Sequence, residues 1–217
     1  MLIKALLLDC DGVVVDSEPL NFLCWEKALR QIRNRVSLEN LHYSCIIGIP
    51  LSEIFSLFEE HLHTQFSETE RQQILKTKND YYFQIGQSEL KPIDGIQTVM
   101  EQARQLGWKI YLVSSSIHEK LAFSLRTVCL HDAFDGIFCG KSGKTKNYSD
   151  VLQKIQSSNY EVVVIEDSPA GIFSAQQADI KTIIAITTNF SKAQLKEYSP
   201  IQIIKHYQEL DLNRLGQ

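Results

Sequence analysis

The chain predicts an α/β fold: a parallel sheet with helices on both faces, interrupted early by a helical insertion. Three observations lead there. An apolar run over residues 2–8 stops abruptly at Asp9-Cys10-Asp11-Gly12. After residue 90, helical patterns alternate with short apolar strands. Residues 17–86 break that rhythm, with helical patterns and no convincing buried strand. Alternating strand and helix means βαβ units with right-handed crossovers, hence a parallel sheet. A strand that is apolar throughout belongs to a sheet covered on both faces. The expected division is an α/β core from 1–16 and 87–217, with a helical unit over 17–86. A chain of 217 residues, 44% hydrophobic, is large enough for both.

In the insertion, Phe22, Trp25, Leu29 and Ile32 recur at helical spacing, as do Ile54, Leu57, Phe58 and Leu62. Ser67-Glu68-Thr69-Glu70 reads as a capping box ahead of Ile74 and Leu75. Beyond it, Ile96, Val99, Met100, Ala103 and Leu106 mark a helical face ended by Gly107. Residues 109–113 read as a strand that stops at Ser114-Ser115-Ser116, followed by a helix with Leu121, Leu125 and Val128 on one side. Residues 137–139 form a short strand, and Ser149 is expected to cap the helix 150–156. Val162-Val163-Val164-Ile165 is a buried strand running into Glu166-Asp167; Ser168 and Pro169 then open a helix as cap and first residue. Strands at 182–186 and 201–204 complete the pattern.

Composition narrows the function. The net charge of −4 offers no basic footprint for nucleic acid. Five cysteines without a CxxC pair suit reduced thiols in the cytoplasm rather than disulfides or zinc. The apolar start, broken by Lys4 and ended by Asp9, is too short to span a membrane and lacks a small-residue cleavage site. Gly140-Lys141-Ser142-Gly143-Lys144-Thr145 imitates a phosphate loop. The glycine such a loop needs five residues earlier is replaced by Asp135 or Phe138, so a nucleotide-triphosphatase reading fails.

Asp9 and Asp11 sit where a parallel strand ends, at the carboxyl edge where open α/β sheets bind ligands. Two carboxylates that close repel, and desolvating them is costly unless a cation or a shared proton offsets it. Taken alone, the pattern also fits an ordinary strand with an acidic turn. The whole chain, however, resembles the haloacid-dehalogenase-like hydrolases, in the branch holding phosphoglycolate phosphatase and β-phosphoglucomutase. The opening motif is carried by Asp9, Asp11 and Gly12 and continues into Asp16-Ser17-Glu18; three later motifs follow in the family's order.

That resemblance implies a Rossmann-like core and a helical cap joined by hinges near 15–17 and 86–92. It implies Asp9 as nucleophile and Asp11 as general acid and base; the second acid separates phosphoryl chemistry from dehalogenation. Ser114 stands at the family's serine or threonine, with the Ser115 amide beside it as a second phosphoryl donor. Mg²⁺ is implied as cofactor, held by the Asp9 carboxylate, the Asp11 main-chain carbonyl and Asp167, with Glu166 acting through water. Lys146 keeps the spacing to Asp150 of a lysine motif that has lost both prolines here; Lys141 and Lys144 are rivals. Where β-phosphoglucomutase grips a second phosphate and couples closure to attack, this chain has Leu51, Ile117 and Asn21, though Gly48 and Lys78 match its substrate-binding positions. The expected activity is hydrolysis of a small phosphorylated metabolite. A sugar phosphomutase and a non-catalytic binding protein are the alternatives.

Overall fold

A computed structural model describes residues 2–34, 36–140 and 146–215. The elements are β1 (Ala5–Leu8), β2 (Val15–Asp16), α1 (Glu18–Ile32), α2 (Leu51–His61), α3 (Glu68–Glu89), β3 (Lys91–Pro92), α4 (Ile96–Gln105) and β4 (Lys109–Ser114). They continue with α5 (His118–Thr127), β5 (Gly136–Cys139), α6 (Tyr148–Ile155), β6 (Val162–Glu166), α7 (Pro169–Gln177), β7 (Thr182–Ile186), α8 (Lys192–Lys196) and β8 (Gln202–Ile204). Two compact units result: Met1–Asp16 with Lys91–Gln217, and Ser17–Leu90. Among the described residues, no helix is long and apolar enough to cross a membrane.

Six strands of the first unit form one parallel sheet in the order β5-β4-β1-β6-β7-β8. From the central β1 the chain winds outward through β4 to β5, then crosses back and winds the other way. Right-handed crossovers in opposite directions put helices on both faces. Side chains alternate accordingly. Ala5, Leu7, Val162 and Val164 meet Tyr148 and Val151 of α6, Ile172 and Ala175 of α7, and Leu195 of α8. Leu6, Leu8, Ile110 and Leu112, all fully buried, take the opposite face. Each such leucine contributes about 1.5–3 kcal/mol relative to exposure. The expected cap of α6, Ser149, is corrected: the helix starts at Tyr148, and the Asn147 side chain accepts the Asp150 amide at 3.3 Å. Burial of the Tyr148 ring draws the helix start inward.

The second unit packs α1 against α3, with α2 completing a core of Trp25, Leu29, Ile54, Phe55, Phe58 and Ile74. Trp25 meets Phe55 and Phe58 edge to face, with centroids 5.7 and 5.4 Å away. Ser67 and Glu70 close a reciprocal capping box on α3. Ile74, Lys78, Tyr82 and Gly86 form its buried stripe at four-residue spacing. Gly86 thus lies inside the helix, and the units divide at 16/17 and 90/91.

Glu59 is buried in this unit; its Oε1 accepts from the Phe66 amide at 2.9 Å and from Arg71 at 2.7 Å. Burial alone would raise its carboxyl, but these donors hold it below the ordinary 4.5. A depressed folded value means stability fully present above the unfolded value and lost as pH falls through the folded one. Glu59→Gln should cost about 1–3 kcal/mol at neutral pH. It should also lose less stability than the wild type as pH falls below 4.5. Denaturant unfolding followed by Trp25 fluorescence in a Trp108→Phe background, at neutral and acid pH, checks both.

Candidate active site

Parallel register gathers the site. Leu8 lies opposite Leu112 on β4 and Ile165 on β6. One step on, the chain leaves β1 at Asp9, whose amide donates to the Ile165 carbonyl at 3.2 Å. β4 ends on Ser114 and β6 on Glu166, with Asp167 next. Three strands therefore deliver their polar ends to one edge of the sheet, as open α/β folds do.

Lys146 links two of those ends. Its Nζ lies 2.6 Å from Asp9 Oδ2 and 2.8 Å from Glu166 Oε1, with only 8% of its side chain exposed. Lys146 precedes the capping Asn147, and its carbonyl accepts from Ser174 Oγ at 2.7 Å. Cap and anchor order the loop that has lost its prolines. Burial would strip the Lys146 proton, but Asp9 and Glu166 outweigh it and hold the ammonium above its ordinary range. The rivals Lys141 and Lys144, and the phosphate-loop-like stretch 141–145, lie outside the described residues.

Glu166 is fully buried. Its Oε1 also accepts from Tyr148 Oη at 2.6 Å, while Oε2 has no hydrogen-bond partner. Burial, with Glu166 and Asp9 close by, keeps the Tyr148 phenol well above its usual range, so it stays a donor. Asp167 is buried too, and its Oδ2 accepts from Asn189 Nδ2 at 2.6 Å. Asp9, Glu166 and Asp167 offer carboxylate oxygens all within 4.8 Å of one another. Burial, with Glu166 and Asp11 beside it, pushes the Asp9 carboxyl up to about 8 against the pull of Lys146. Burial, then Asp9 and Glu166, raise Asp167 as well.

Asp11 points elsewhere. Its Oδ2 accepts from Ser116 Oγ at 2.7 Å, and Lys120 Nζ lies 3.6 Å from Oδ1. Ser114 Oγ accepts the Ser116 amide at 3.0 Å, with Ser115 exposed between them. Ile117 stands at the α5 N-cap, 42% exposed. The first unit thus brings Asp9, Lys146, Glu166 and Asp167 together, with Asp11 and Ser114 joined through Ser116. Gly48 and Lys78 belong to the second unit. Gly48 has φ +75°, and the Lys78 ammonium lies 5.5 and 5.7 Å from the ring centres of Trp25 and Tyr82.

Sequence reasoning missed Tyr148, Asn189, Ser116 and Lys120. A signal existed for Lys120: α5 begins at His118, just past the serines that end β4, and Lys120 lies in its first turn. Tyr148 lies inside the lysine motif, at a position that motif leaves free. Nothing local marks Asn189, which reaches Asp167 only through the fold.

Gly171 shows how tightly Glu166 is held. A Cβ on it would collide with the Glu166 carboxylate. In an ordinary helix Gly→Ala stabilises by about 1 kcal/mol. Here Gly171→Ala should destabilise instead, by displacing the carboxylate that anchors Lys146. Thermal unfolding of the variant measures the sign.

Comparison with known proteins gives the family. The model of the haloacid dehalogenase-like hydrolases matches residues 6–185. The chain is 26% identical to the phosphorylated carbohydrates phosphatase of Thermotoga maritima over 93% of this chain and 94% of that one. It is 28% identical to the β-phosphoglucomutase of Bacillus subtilis over 81% and 80%. Crystalline CbbY from Rhodobacter sphaeroides, in complex with phosphate, superposes with a TM-score of 0.82 at 17% identity, covering 96% of each chain, a likeness of fold. A match over most of the chain, on a sheet that ends in these acids, makes this protein a member of the haloacid dehalogenase-like hydrolase family.

Proposed function

We propose that the chain is a Mg²⁺-dependent phosphatase of a small phosphorylated metabolite, with a sugar phosphate the favoured class. The observation that carries this reading is the Lys146 ammonium between Asp9 and Glu166 at the carboxyl edge of the sheet. A buried carboxylate held by a fixed cation is a nucleophile prepared for an anionic electrophile. The sugar-phosphate preference draws on the relative named as a phosphorylated carbohydrates phosphatase. In this reading residues 17–90 serve as the cap, with Gly48 and Lys78 as its substrate contacts.

The donor set suits Mg²⁺. Asp9, Glu166 and Asp167 against the Lys146 ammonium leave two negative charges, which a divalent ion balances. Hard carboxylate oxygens are what Mg²⁺ prefers. Glu166 Oε2, buried without a partner, and Asp9, pushed up to about 8, both mark a cluster short of positive charge. Asp9, the Asp11 carbonyl and Asp167 would hold the ion, with Glu166 acting through water. When bound, it neutralises charge on the phosphoryl oxygens.

An Asp9 oxygen bonds to phosphorus as the ester P–O bond breaks, and Asp11 gives its proton to the leaving oxygen. Water then attacks phosphorus and yields a proton to Asp11, and the bond to Asp9 breaks, releasing phosphate. Ser114 and the Ser115 amide donate to phosphoryl oxygens. Ser116 and Lys120 orient Asp11. One observation favours a second reading as a sugar phosphomutase: Lys120 supplies a cation one turn beyond the position where Ile117 lacks it.

Phosphate release from a panel of phosphomonoesters tests the proposal. Turnover should require Mg²⁺ and vanish on chelation. Asp9→Asn should be folded and inactive; undiminished turnover would exclude Asp9 as nucleophile. Lys146→Ala should lose about 10²–10³ in kcat, the scale of one well-placed donor. Glucose 1,6-bisphosphate should fail to stimulate interconversion of hexose phosphates, whereas stimulation would establish the mutase.

A further inference from the structure

Asn189 lies in the turn between β7 and α8, far in sequence from every acid it meets. It is 7% exposed, and its Nδ2 donates to Asp167 Oδ2 at 2.6 Å. A surface asparagine in a turn normally serves its own backbone. This one is turned inward and serves a carboxylate from another strand. Room for the pair comes from Gly12, with φ +79°, where a Cβ would collide with both Asn189 Nδ2 and the Asp167 carboxylate. The glycine of the first motif thus does two things. It adopts a left-handed turn, and it leaves the space in which Asn189 grips Asp167.

We propose that Asn189 is the positioning residue of the metal site: it fixes the orientation of Asp167 and commits one oxygen, leaving the other for the ion. This rests on the reading of the acids as a Mg²⁺ site. An amide suits the task because it donates without adding charge. A lysine there would cancel one of the two negative charges that the ion balances. An aspartate would press a further carboxylate on an already crowded cluster. Partners that orient a metal ligand in this way change metal affinity about ten- to a hundredfold when removed.

Mg²⁺ uptake by the full chain, followed by titration calorimetry, is the test. Asn189→Leu keeps the bulk and removes the donor. It should take up Mg²⁺ about ten- to a hundredfold more weakly than the wild type, whatever the shift in its metal-free thermal midpoint. A residue with a merely structural role would lower the midpoint and leave affinity unchanged, and that result overturns the proposal. If Asn189→Leu does not fold, Asn189→Ala, which only removes atoms, is read in the same way. No uptake by the wild-type chain overturns the metal-site reading and this role together. Equal uptake by wild type and variant overturns the role of Asn189 alone.

Discussion

The Lys146 ammonium is the contact on which the rest of the site depends. Three carboxylates, Asp9, Glu166 and Asp167, are buried at the ends of adjacent strands. Each ion taken out of water costs several kcal/mol unless it is paired and hydrogen-bonded. Lys146 meets two of the three directly, at 2.6 and 2.8 Å. Much of the surrounding structure serves to put it there. Asn147 caps the helix that follows it, Ser174 holds its carbonyl, and Tyr148 fixes the carboxylate it binds. Gly171 leaves that carboxylate the space it occupies. The order of dependence runs from helix start to lysine to acid, and only then to chemistry.

Much of this was legible in the chain itself, for a local reason. Strands β1 and β6 announce themselves as continuous apolar runs, and the acids follow them directly, so Asp9, Glu166 and Asp167 could be placed at a sheet edge before any coordinates. The helical insertion was visible from its 3.6-residue period. Residues that act through tertiary partners were not legible. Asn189 looks like a turn asparagine until the fold brings it to Asp167, and Tyr148 looks like core until its hydroxyl reaches Glu166. The start of α6 was misplaced because Ser149 and Asn147 are both good caps, and only burial of Tyr148 decides between them. The hinge region read at 86–92 contains the division at 90/91, while its first residue, Gly86, completes the Ile74, Lys78, Tyr82 stripe of α3.

Lys78 shows a further limit of pattern reading. A lysine on a largely polar helix is normally a solvated charge, and its place in the buried stripe is clear only from spacing counted along α3 from Ile74 to Gly86. Its stem is packed among the core residues of its unit, and its ammonium lies near two aromatic rings. A position that serves packing and carries a charge constrains the chain twice. Exchange for methionine keeps the volume and removes the charge, which separates the two demands.

Where the chain leaves the α/β unit and where it returns, β2 and β3 pair antiparallel, with Asp16 opposite Lys91. The two ends of the helical insertion are therefore neighbours, tied by backbone hydrogen bonds within the unit they interrupt. For that unit, the entire insertion is a closed loop. The entropy of closing a loop grows only logarithmically, by about 0.6 kcal/mol for each doubling of length. A sheet so constructed is nearly indifferent to how much chain is threaded through that gap. The ribbon is in effect a socket: over evolutionary time, inserts of very different size could be exchanged there while the strands that carry the acids keep their register.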